Sequence, residues 1–445
     1  MKLFEKKNVI RIDEDDLRDA KLSSMDFIDD NTQNLELKND LVVTNIVGLT
    51  AVNSNLENDF FDYIKYIGKQ NKDFVDYKTG IKLLSKKDTL DLNNKQKELD
   101  EKIRVYETNF LNKSKDTYIG SVLNLKMEKV LKDIPKASNG RPDSLAVYKY
   151  YKNHYWDGVD FQDIATIRNP FFYSKLKKYF ENAVVTHPDS VSVEVDKILG
   201  KTKEGSLMYK LMLAHLTYSY ETTKLMGFDK VFVHIIDRYF KTGKAAGIYD
   251  DDEVVKKIII RAELLRPLLV GALAPDLSMI KASDYEVMKK MGFETAKNSE
   301  EVTKVFYNNA TEINKRFYHL HSVNADYIIL VFWDVDCGHC QKEIPKLIDL
   351  YNKLKKENKD VKVFSVYTLH EGEKYLKYID EHKVNDWINV YDGAHYNNVL
   401  VKYDVYSTPV IYVLDKNKTI KAKRIGVEQI ENVIKEMEKE YKKIK

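Results

Sequence analysis

A continuous apolar segment constrains the fold of this chain more than any other feature. Residues 326–336 read DYIILVFWDVD, which predicts a strand that is buried on both faces of a parallel or mixed sheet. Cys337 and Cys340 follow directly in the sequence CGHC, and they are the only 2 cysteines in 445 residues. Because two cysteines cannot form a disulfide framework, the fold must depend on its hydrophobic core.

The segments after Pro267 alternate between strand and helix patterns. The apolar strand is followed by a predicted helix over 338–357, the strand VKVFSVYTL and a helix near 371–383. The strands TPVIYVLD and TIKAKRIG, joined by the turn KNK, and a closing helix from Val427 complete the series. This βαβαββα order predicts an α/β domain over residues 267–445, with residues 281–310 as a helical or irregular insertion.

The first half of the chain has a different pattern. From about Asn58 to Arg266 apolar residues recur at helical spacing, as in GSLMYKLMLAHLTYSYETTKLMG, which ends at Gly227. Residues 56–266 are therefore predicted to form an all-α domain. Residues 1–55 contain short β-like runs such as KNVIRI and are predicted to be the β-rich remnant of an N-terminal domain.

Composition argues against several classes of partner. The chain has 72 Lys and Arg against 69 Asp and Glu, so its net charge of +3 gives no electrostatic reason to expect nucleic acid. No stretch approaches the roughly 20 apolar residues that a transmembrane helix needs. The amino terminus lacks the apolar segment of a secretory signal, which taken literally predicts a cytoplasmic protein.

The spacing of the two cysteines predicts redox chemistry. At the start of a helix, unpaired N–H groups and the helix dipole would stabilise a thiolate on Cys337, while Cys340 would lie one turn further in on the same face. The first thiolate would attack a substrate disulfide, and the second would resolve the mixed disulfide. Protonated His339 would lower the pKa of Cys337, and Asp336 would raise it if its carboxylate were close and unpaired.

Three segments together resemble a known family. GALAPDL, LVFWDVDCGHCQKEIP and YDVYSTPVIYVLDKNKTI are similar to the thioredoxin-fold domain of TlpA-like thiol–disulfide oxidoreductases, over roughly residues 267–445. The resemblance implies a cis peptide bond before Pro409, facing the cysteines and presenting backbone to a substrate. It also implies that Trp333, Gly338 and Thr408 take part in substrate docking, and that Pro345 kinks the helix of the active site.

The chain departs from thioredoxin at two positions. Thioredoxin carries a buried acid two residues before the counterpart of Trp333, but residues 329–332 here are apolar, so water or Glu343 would have to accept the proton of Cys340. Asp336 stands where relatives have tryptophan. The dipeptide Gly338-His339 is similar to that of protein disulfide isomerases, which favours a potential nearer to about −180 mV than to about −270 mV.

The helical half carries a second resemblance. YKYYKNHYWDGVDF (148–161), HPDSV (187–191) and MGFDKVFVHIIDRYF (226–240) are similar to a helical domain of unknown function that precedes thioredoxin domains in bacterial cell-envelope proteins. In those proteins a β-rich domain behind a signal sequence comes first. The resemblance therefore implies that this chain lacks its natural start and works in the periplasm, and we prefer this expectation to the cytoplasmic one.

Other readings of the same residues remain open. A zinc site would need four ligands, whereas only two thiols exist and His339, His370, His382 and His395 have no short paired spacing. Peroxidase chemistry would need a threonine where Asp334 stands. A non-catalytic alternative is a scaffold whose helical domain recognises a partner, with Tyr155 and Trp156 as anchors, although these aromatics would equally fill a helical core.

The favoured hypothesis makes specific demands on cofactors and partners. It needs no metal and no cofactor beyond the dithiol formed by Cys337 and Cys340. Its substrates would be protein thiols and disulfides, and a redox partner protein would recycle the dithiol.

Overall fold

The computed structural model describes residues 55–80, 86–115, 117–127, 129, 131, 133–169, 171–369 and 372–444. The chain forms two compact units, one combining residues up to 186 with 197–212 and the other combining 187–196 with 213–445. Residues 213–266, assigned from sequence to the helical domain, thus share a unit with the α/β region. The β-rich remnant predicted for residues 1–55 lies outside the described residues except for Asn55, and the domain boundaries stay predictions.

A series of helices precedes the sheet. They are α1 (Asn55–Gly80), α2 (Lys86–Ser114), α3 (Tyr118–Lys126), α4 (Ser144–His154), α5 (Ile164–Arg168), α6 (Phe172–Lys178), α7 (Pro188–Leu199), α8 (Leu207–Glu221), α9 (Asp229–Ile235) and α10 (Asp252–Leu265). Aspartates begin several of them: Asp143 accepts hydrogen bonds from two backbone N–H groups of α4, and Asp251 accepts one from Glu253 of α10. These caps satisfy donors that have no partner within the helix.

The aromatic residues of the NHYWD segment fill a core. Tyr155 and Trp156 are 4% and 8% exposed, and the Tyr155 hydroxyl donates to the carbonyl of Lys175 at 2.8 Å. Their rings contact each other edge to face, and both contact Tyr179. Since both side chains are buried, the core interpretation is confirmed and the surface-anchor interpretation is wrong for this conformation.

The second unit contains a seven-stranded mixed sheet. Its strands are β1 (Ser278–Lys281), β2 (Phe317–His319), β3 (Tyr327–Trp333), β4 (Val361–Tyr367), β5 (Ile388–Tyr391), β6 (Val410–Asp415) and β7 (Ile420–Lys423), in the order β2-β1-β5-β4-β3-β6-β7. Strands β3, β4 and β5 are parallel, whereas β6 runs antiparallel to β3 and β1 antiparallel to β5. The pairing of Phe332 with Val410 brings the start of β6 beside the end of β3.

Helices cover the sheet and connect its strands. They are α11 (Tyr285–Met291), α12 (Ser299–Asn308), α13 (Ala310–Arg316), α14 (Cys340–Lys356), α15 (Gly372–His382), α16 (Val399–Lys402) and α17 (Val427–Ile444). All residues of β3 are buried, and they alternate between two cores. Ile329, Val331 and Trp333 pack with α14, α15 and α17 on one face, and the intervening residues pack on the other. This alternation is the period of a strand that is buried on both sides.

The α/β order predicted from sequence is confirmed, as is the helical region before it. The region predicted as an insertion contains α11, α12 and most of the chain leading to β2. Two features were not predicted: the short strand β5, and the antiparallel pair of β1 and β2 that extends the sheet at one edge.

Candidate active site

A tight turn carries the chain from β3 into α14 and sets the position of both cysteines. The backbone N–H of Asp336 donates to the Asp334 side chain at 2.8 Å, and that of Cys337 donates to the Asp334 carbonyl at 3.4 Å. The Gln341 N–H then donates to the Cys337 carbonyl at 2.9 Å, so the turn passes directly into the helix. Cys337 is partly buried, whereas Cys340, the first residue of α14, is 0% exposed.

The start of β6 faces these thiols. The peptide bond between Thr408 and Pro409 is cis, as the sequence resemblance implied. The Cys337 thiol donates to the Thr408 carbonyl oxygen, with Sγ and O 3.3 Å apart. Both cysteines are free thiols. The structure therefore brings the two cysteines together with Thr408, which lies 71 residues after Cys337 in the chain.

The surroundings of Cys337 favour its thiolate. Partial burial acts to raise the pKa of Cys337, but hydrogen bonds outweigh it and leave this pKa below its ordinary value. The donors are the Thr408 side chain, the Cys340 thiol, and the backbone N–H groups of His339 and Cys340. Two of these donors are unpaired N–H groups at the start of α14, where a helix stabilises negative charge.

The second thiol has the opposite character. Burial raises the pKa of Cys340 to about 11, and the neighbouring Cys337 contributes in the same direction. At neutral pH Cys340 is therefore protonated and inaccessible, while Cys337 has enhanced thiolate character and is partly exposed. A reagent or substrate in solution can reach only the more reactive of the two sulfur atoms.

The structure places the two predicted tuning side chains at the surface. The His339 ring is exposed, and it is the backbone N–H of this residue that bonds to the thiolate. The Asp336 carboxylate is also exposed and pairs with Lys374 at 2.7 Å. Because Lys374 compensates its charge, the expected opposition of Asp336 to the thiolate is weakened. A role for the His339 imidazole stays a prediction.

Glu343, proposed from sequence as a proton acceptor, lies one turn into α14. Its carboxylate pairs with Lys346 at 2.6 Å and accepts a bond from the Val427 N–H at 3.4 Å. The hydrogen bond from Lys346 is the main cause that lowers the pKa of Glu343. A lower pKa makes the carboxylate a weaker base, which weighs against its taking the proton of Cys340.

Trp333 does not lie where a substrate can touch it. Its side chain is 1% exposed, and its indole N–H donates to the Ser365 hydroxyl at 2.8 Å. Tyr375 bonds to the same serine and packs edge-on against the indole. The expectation that Trp333 takes part in substrate docking is therefore corrected: the residue belongs to the core beneath the site. Gly338 is exposed, and Thr408 and Pro409 are partly exposed, beside Cys337.

The structure adds Tyr378, a residue that the sequence did not single out. Its ring contacts Trp333 edge to face with centroids 4.8 Å apart, and its buried hydroxyl has no hydrogen-bond partner within the part of the chain that the structure describes. Burial, followed by the negative charge of ionised Cys340, raises the pKa of Tyr378. Its position depends on how α15 packs on β3. A single tyrosine in the sequence does not reveal that packing.

Among the residues described, no group of three or more His, Cys, Asp or Glu side chains is arranged to hold a metal ion, and His370 lies outside them. Over the same residues, none of the helices has the length and apolar character needed to cross a bilayer.

The fold and the paired thiols define a thioredoxin-fold domain with a dithiol at the start of its first long helix. Residues 324–420 match the thioredoxin-like family, and residues 92–248 match a family described as a domain of unknown function, DUF5106. The chain belongs to the thioredoxin-like family. The helical resemblance seen in the sequence is confirmed by the second match.

Several solved structures are similar to parts of this chain. A domain of a possible thiol-disulfide isomerase from Cytophaga hutchinsonii is 34% identical, and the match covers 40% of this chain and 98% of that one, with a TM-score of 0.31. A thioredoxin-like protein from Bacteroides caccae is 19% identical over 69% of this chain and 99% of its own, with a TM-score of 0.46. A thiol:disulfide interchange protein from Bacteroides sp. is 22% identical over 38% and 88%, with a TM-score of 0.27. No curated protein matches the chain.

Proposed function

We propose that this protein is a thiol–disulfide oxidoreductase that exchanges disulfides with protein thiols through Cys337 and Cys340. A thioredoxin-like domain supports a redox function in general. The contrast between the two thiols carries the more specific proposal: Cys337 is partly exposed with a lowered pKa, and Cys340 is buried with a pKa of about 11. In such a pair, the exposed sulfur attacks the substrate disulfide, and the buried sulfur later resolves the mixed disulfide.

The exchange proceeds in two balanced steps. The Cys337 thiolate attacks one sulfur of a substrate disulfide, which breaks that S–S bond, forms a mixed disulfide and releases a substrate thiolate that takes up a proton. The Cys340 sulfur, after losing its proton, attacks Cys337 and releases the second substrate thiol. The substrate disulfide gains two electrons and two protons, and the enzyme dithiol becomes a disulfide; in reverse, a substrate dithiol is oxidised.

The order of these steps helps Cys340 to lose its proton. The ionised Cys337 sulfur contributes to the raised pKa of Cys340. Once Cys337 is in the mixed disulfide, its negative charge is gone and this contribution disappears. The departing substrate thiolate is then a suitable base for the proton, so the reaction does not require the buried acid that thioredoxin has at the position of Val331.

The proposal also covers the redox group and the protein that recycles it. The dithiol is the only redox group that the exchange requires, and a partner protein returns it to its starting state after each turnover. Equilibration of the Cys337–Cys340 pair with glutathione gives the direction: a strongly reducing potential indicates a reductase, and a mildly oxidising one an isomerase or oxidase.

We also propose that the protein works in the periplasm. The sequence segments at 148–161, 187–191 and 226–240, which resemble a helical domain of bacterial cell-envelope proteins, support this location, and an oxidising compartment suits disulfide exchange. Fractionation of cells that express the natural gene tests it. Recovery with cytoplasmic markers alone would contradict it.

Reduction of insulin disulfides by dithiothreitol provides the central test. The wild-type protein should accelerate the reaction, and Cys337→Ser should remove the acceleration because no attacking thiolate remains. Lys342→Ala, an exposed change two residues after Cys340, is the matched control and should keep the wild-type rate. Equal rates for wild type and Cys337→Ser would reject the oxidoreductase and favour the scaffold alternative.

A further inference from the structure

An ion cluster lies at the base of the segment that faces Cys337. Asp404 is 3% exposed and stands four residues before Thr408. Arg261 of α10 binds both oxygens of its carboxylate, with Nη2 and Oδ2 3.1 Å apart. Arg424, which follows β7, donates to the same carboxylate and to the Asp404 backbone carbonyl. A bidentate arginine on a buried carboxylate fixes both distance and orientation.

The same cluster holds the other end of this segment, residues 404–411, which we call the Thr408 loop. The backbone N–H of Arg424 donates to the carbonyl of Ile411 at 2.7 Å, two residues after Pro409. Asp404 and Arg424 both have left-handed backbone angles, with φ of 55° and 53°. Residues other than glycine keep this conformation where surrounding contacts enforce it, and here the ion pairs provide those contacts.

An open cleft borders one side of the loop. A cleft of about 430 Å³ lies against the cluster, and Arg261, Asp404 and Arg424 are among its lining residues. Tyr403 and Val405 anchor the base of the loop in the core, but Tyr406 and Ser407 are exposed. The ion pair of Arg261 with Asp404 is therefore a direct restraint between the loop and α10 beside this cleft.

A second buried ion pair ties the same helical region to the sheet. Lys423 of β7 is 5% exposed and pairs with Asp229 at the start of α9. Burial lowers the pKa of Lys423, against the influence of Asp229. The helical residues 213–266 therefore contact the neighbourhood of the Thr408 loop at two charged points, one of which reaches the loop itself.

We propose that Arg261 is a positioning residue of the redox site, which holds Thr408 against Cys337 by way of Asp404. This makes α10, which lies between the two regions that match known families, a working part of the thioredoxin-like domain. Arg261 would act in protein disulfide exchange, so the inference rests on the proposed function. It extends that function because it assigns a positioning role to a helix that precedes the region matching the thioredoxin-like family.

The test compares Arg261→Gln, Arg261→Lys and Lys257→Gln in the full chain. Lys257 is an exposed residue of α10, so Lys257→Gln makes the same change of charge on the same helix without touching Asp404. Arg424 still pairs with Asp404 in all three variants, and circular dichroism checks that each is folded. Two quantities are measured: the pH midpoint of Cys337 alkylation by iodoacetamide, and kcat/KM for insulin reduction.

For Arg261→Gln we expect a higher pH midpoint, because a displaced loop carries away the Thr408 side chain, whose hydrogen bond helps to lower the pKa of Cys337. We expect kcat/KM for insulin to fall roughly 10- to 100-fold, as small displacements of reacting groups do. Arg261→Lys should lie between this variant and wild type in both measurements, and Lys257→Gln should match wild type.

An unchanged midpoint in folded Arg261→Gln would overturn the inference, whether or not insulin reduction falls. If Arg261→Gln fails to fold, Arg261→Lys decides in the same way, and its wild-type midpoint would overturn it. Alkylation does not depend on disulfide exchange. A wild-type protein that fails to reduce insulin would therefore reject the proposed function, while the alkylation midpoints still report on Arg261.

Discussion

The two sides of the dithiol site are held in different ways. Residues 334–343, which form the turn and the start of the helix, are fixed by hydrogen bonds between residues close in the chain. The backbone N–H groups of Asp336 and Cys337, for example, both donate to Asp334. The Thr408 loop is fixed by charged groups distant in the chain, because Arg261 and Asp404 are 143 residues apart. The reactive sulfur atoms thus come from a local motif, whereas the position of the Thr408 loop that faces them depends on tertiary structure.

The two regions therefore have different roles: the helix start carries the reactive thiol, and the loop places Thr408 beside it. The helix start supplies the thiolate and two of the N–H groups that stabilise it. The loop supplies Thr408, whose carbonyl lies 3.3 Å from the sulfur, and this contact exists only while the loop is in place. Damage to the first region should abolish the reaction, and damage to the second should weaken it or destabilise the fold.

The largest effect is expected from Cys340→Ser in the helix start. Without a resolving thiol the mixed disulfide cannot be released internally, so insulin turnover should fall by roughly 1,000-fold or more, as for loss of an essential catalytic group. Mass spectrometry under non-reducing conditions should show substrate bound to Cys337. Undiminished turnover, or no trapped species, would contradict the assignment of Cys340.

On the loop side, Asp404→Ala should act mainly on stability. The substitution leaves Arg261 and Arg424, whose side chains are 30% and 46% exposed, without their shared buried carboxylate, so the loss in the free energy of unfolding should lie at or below the low end of the about 3–5 kcal/mol that breaking a fully buried pair costs. Urea unfolding followed by tryptophan fluorescence measures the change, since Trp333 and Trp387 are both buried in the same unit. A loss below about 1 kcal/mol would show that the cluster contributes little.

The pH dependence of Cys337 alkylation sharpens the comparison, because both regions donate hydrogen bonds to its thiolate. A lowered pKa keeps the thiolate populated to lower pH, so the midpoint for wild type should lie below that of a free cysteine, about 8.5. Thr408→Val removes the donor from the loop and should move the midpoint upward, while the N–H groups of α14 keep part of the effect. Cys340 should stay unmodified at neutral pH.

The alkylation experiment has a clear negative outcome. A Thr408→Val midpoint equal to that of wild type would assign the whole effect to the helix start. Cys340→Ala provides the complementary variant, because it removes the donor thiol and should also raise the midpoint.

The smallest effect is expected from Asp336→Asn. Its pair with Lys374 is exposed on both sides, and exposed pairs contribute under about 1 kcal/mol. Unfolding free energy and insulin reduction should both remain close to wild type. A loss as large as that of Asp404→Ala would show that exposed charges at the helix start carry more weight than this geometry indicates.

Sequence reasoning succeeded where the signal is local. Three elements are each predicted by consecutive residues, and all three are present: the apolar strand β3, the helix after the cysteines, and the turn between β6 and β7. It failed for β5, whose sequence INVY is short and includes Asn389, a residue that strands disfavour. The β1–β2 pair also depends on contacts across the chain.

The site shows the same limit. The order of residues places Cys337 and Cys340 at a helix start, but a strand that is buried on both faces does not reveal which side chain faces a substrate. The resemblance implies a docking role for Trp333, whereas its side chain belongs to the core. Neither Arg261 nor Tyr378 could be selected from sequence, because an arginine or tyrosine on an amphipathic helix is most often an ordinary surface or core residue.

The alternation of β3 between the two cores has a consequence for how relatives of this chain can diverge. Side chains of similar volume can be exchanged along the strand, because each remains on its own face. Gain or loss of a single residue cannot be absorbed in the same way, since it would transfer every following side chain to the opposite face and rotate the turn that bears Cys337. Length variation among homologues should accordingly be confined to the connections between strands.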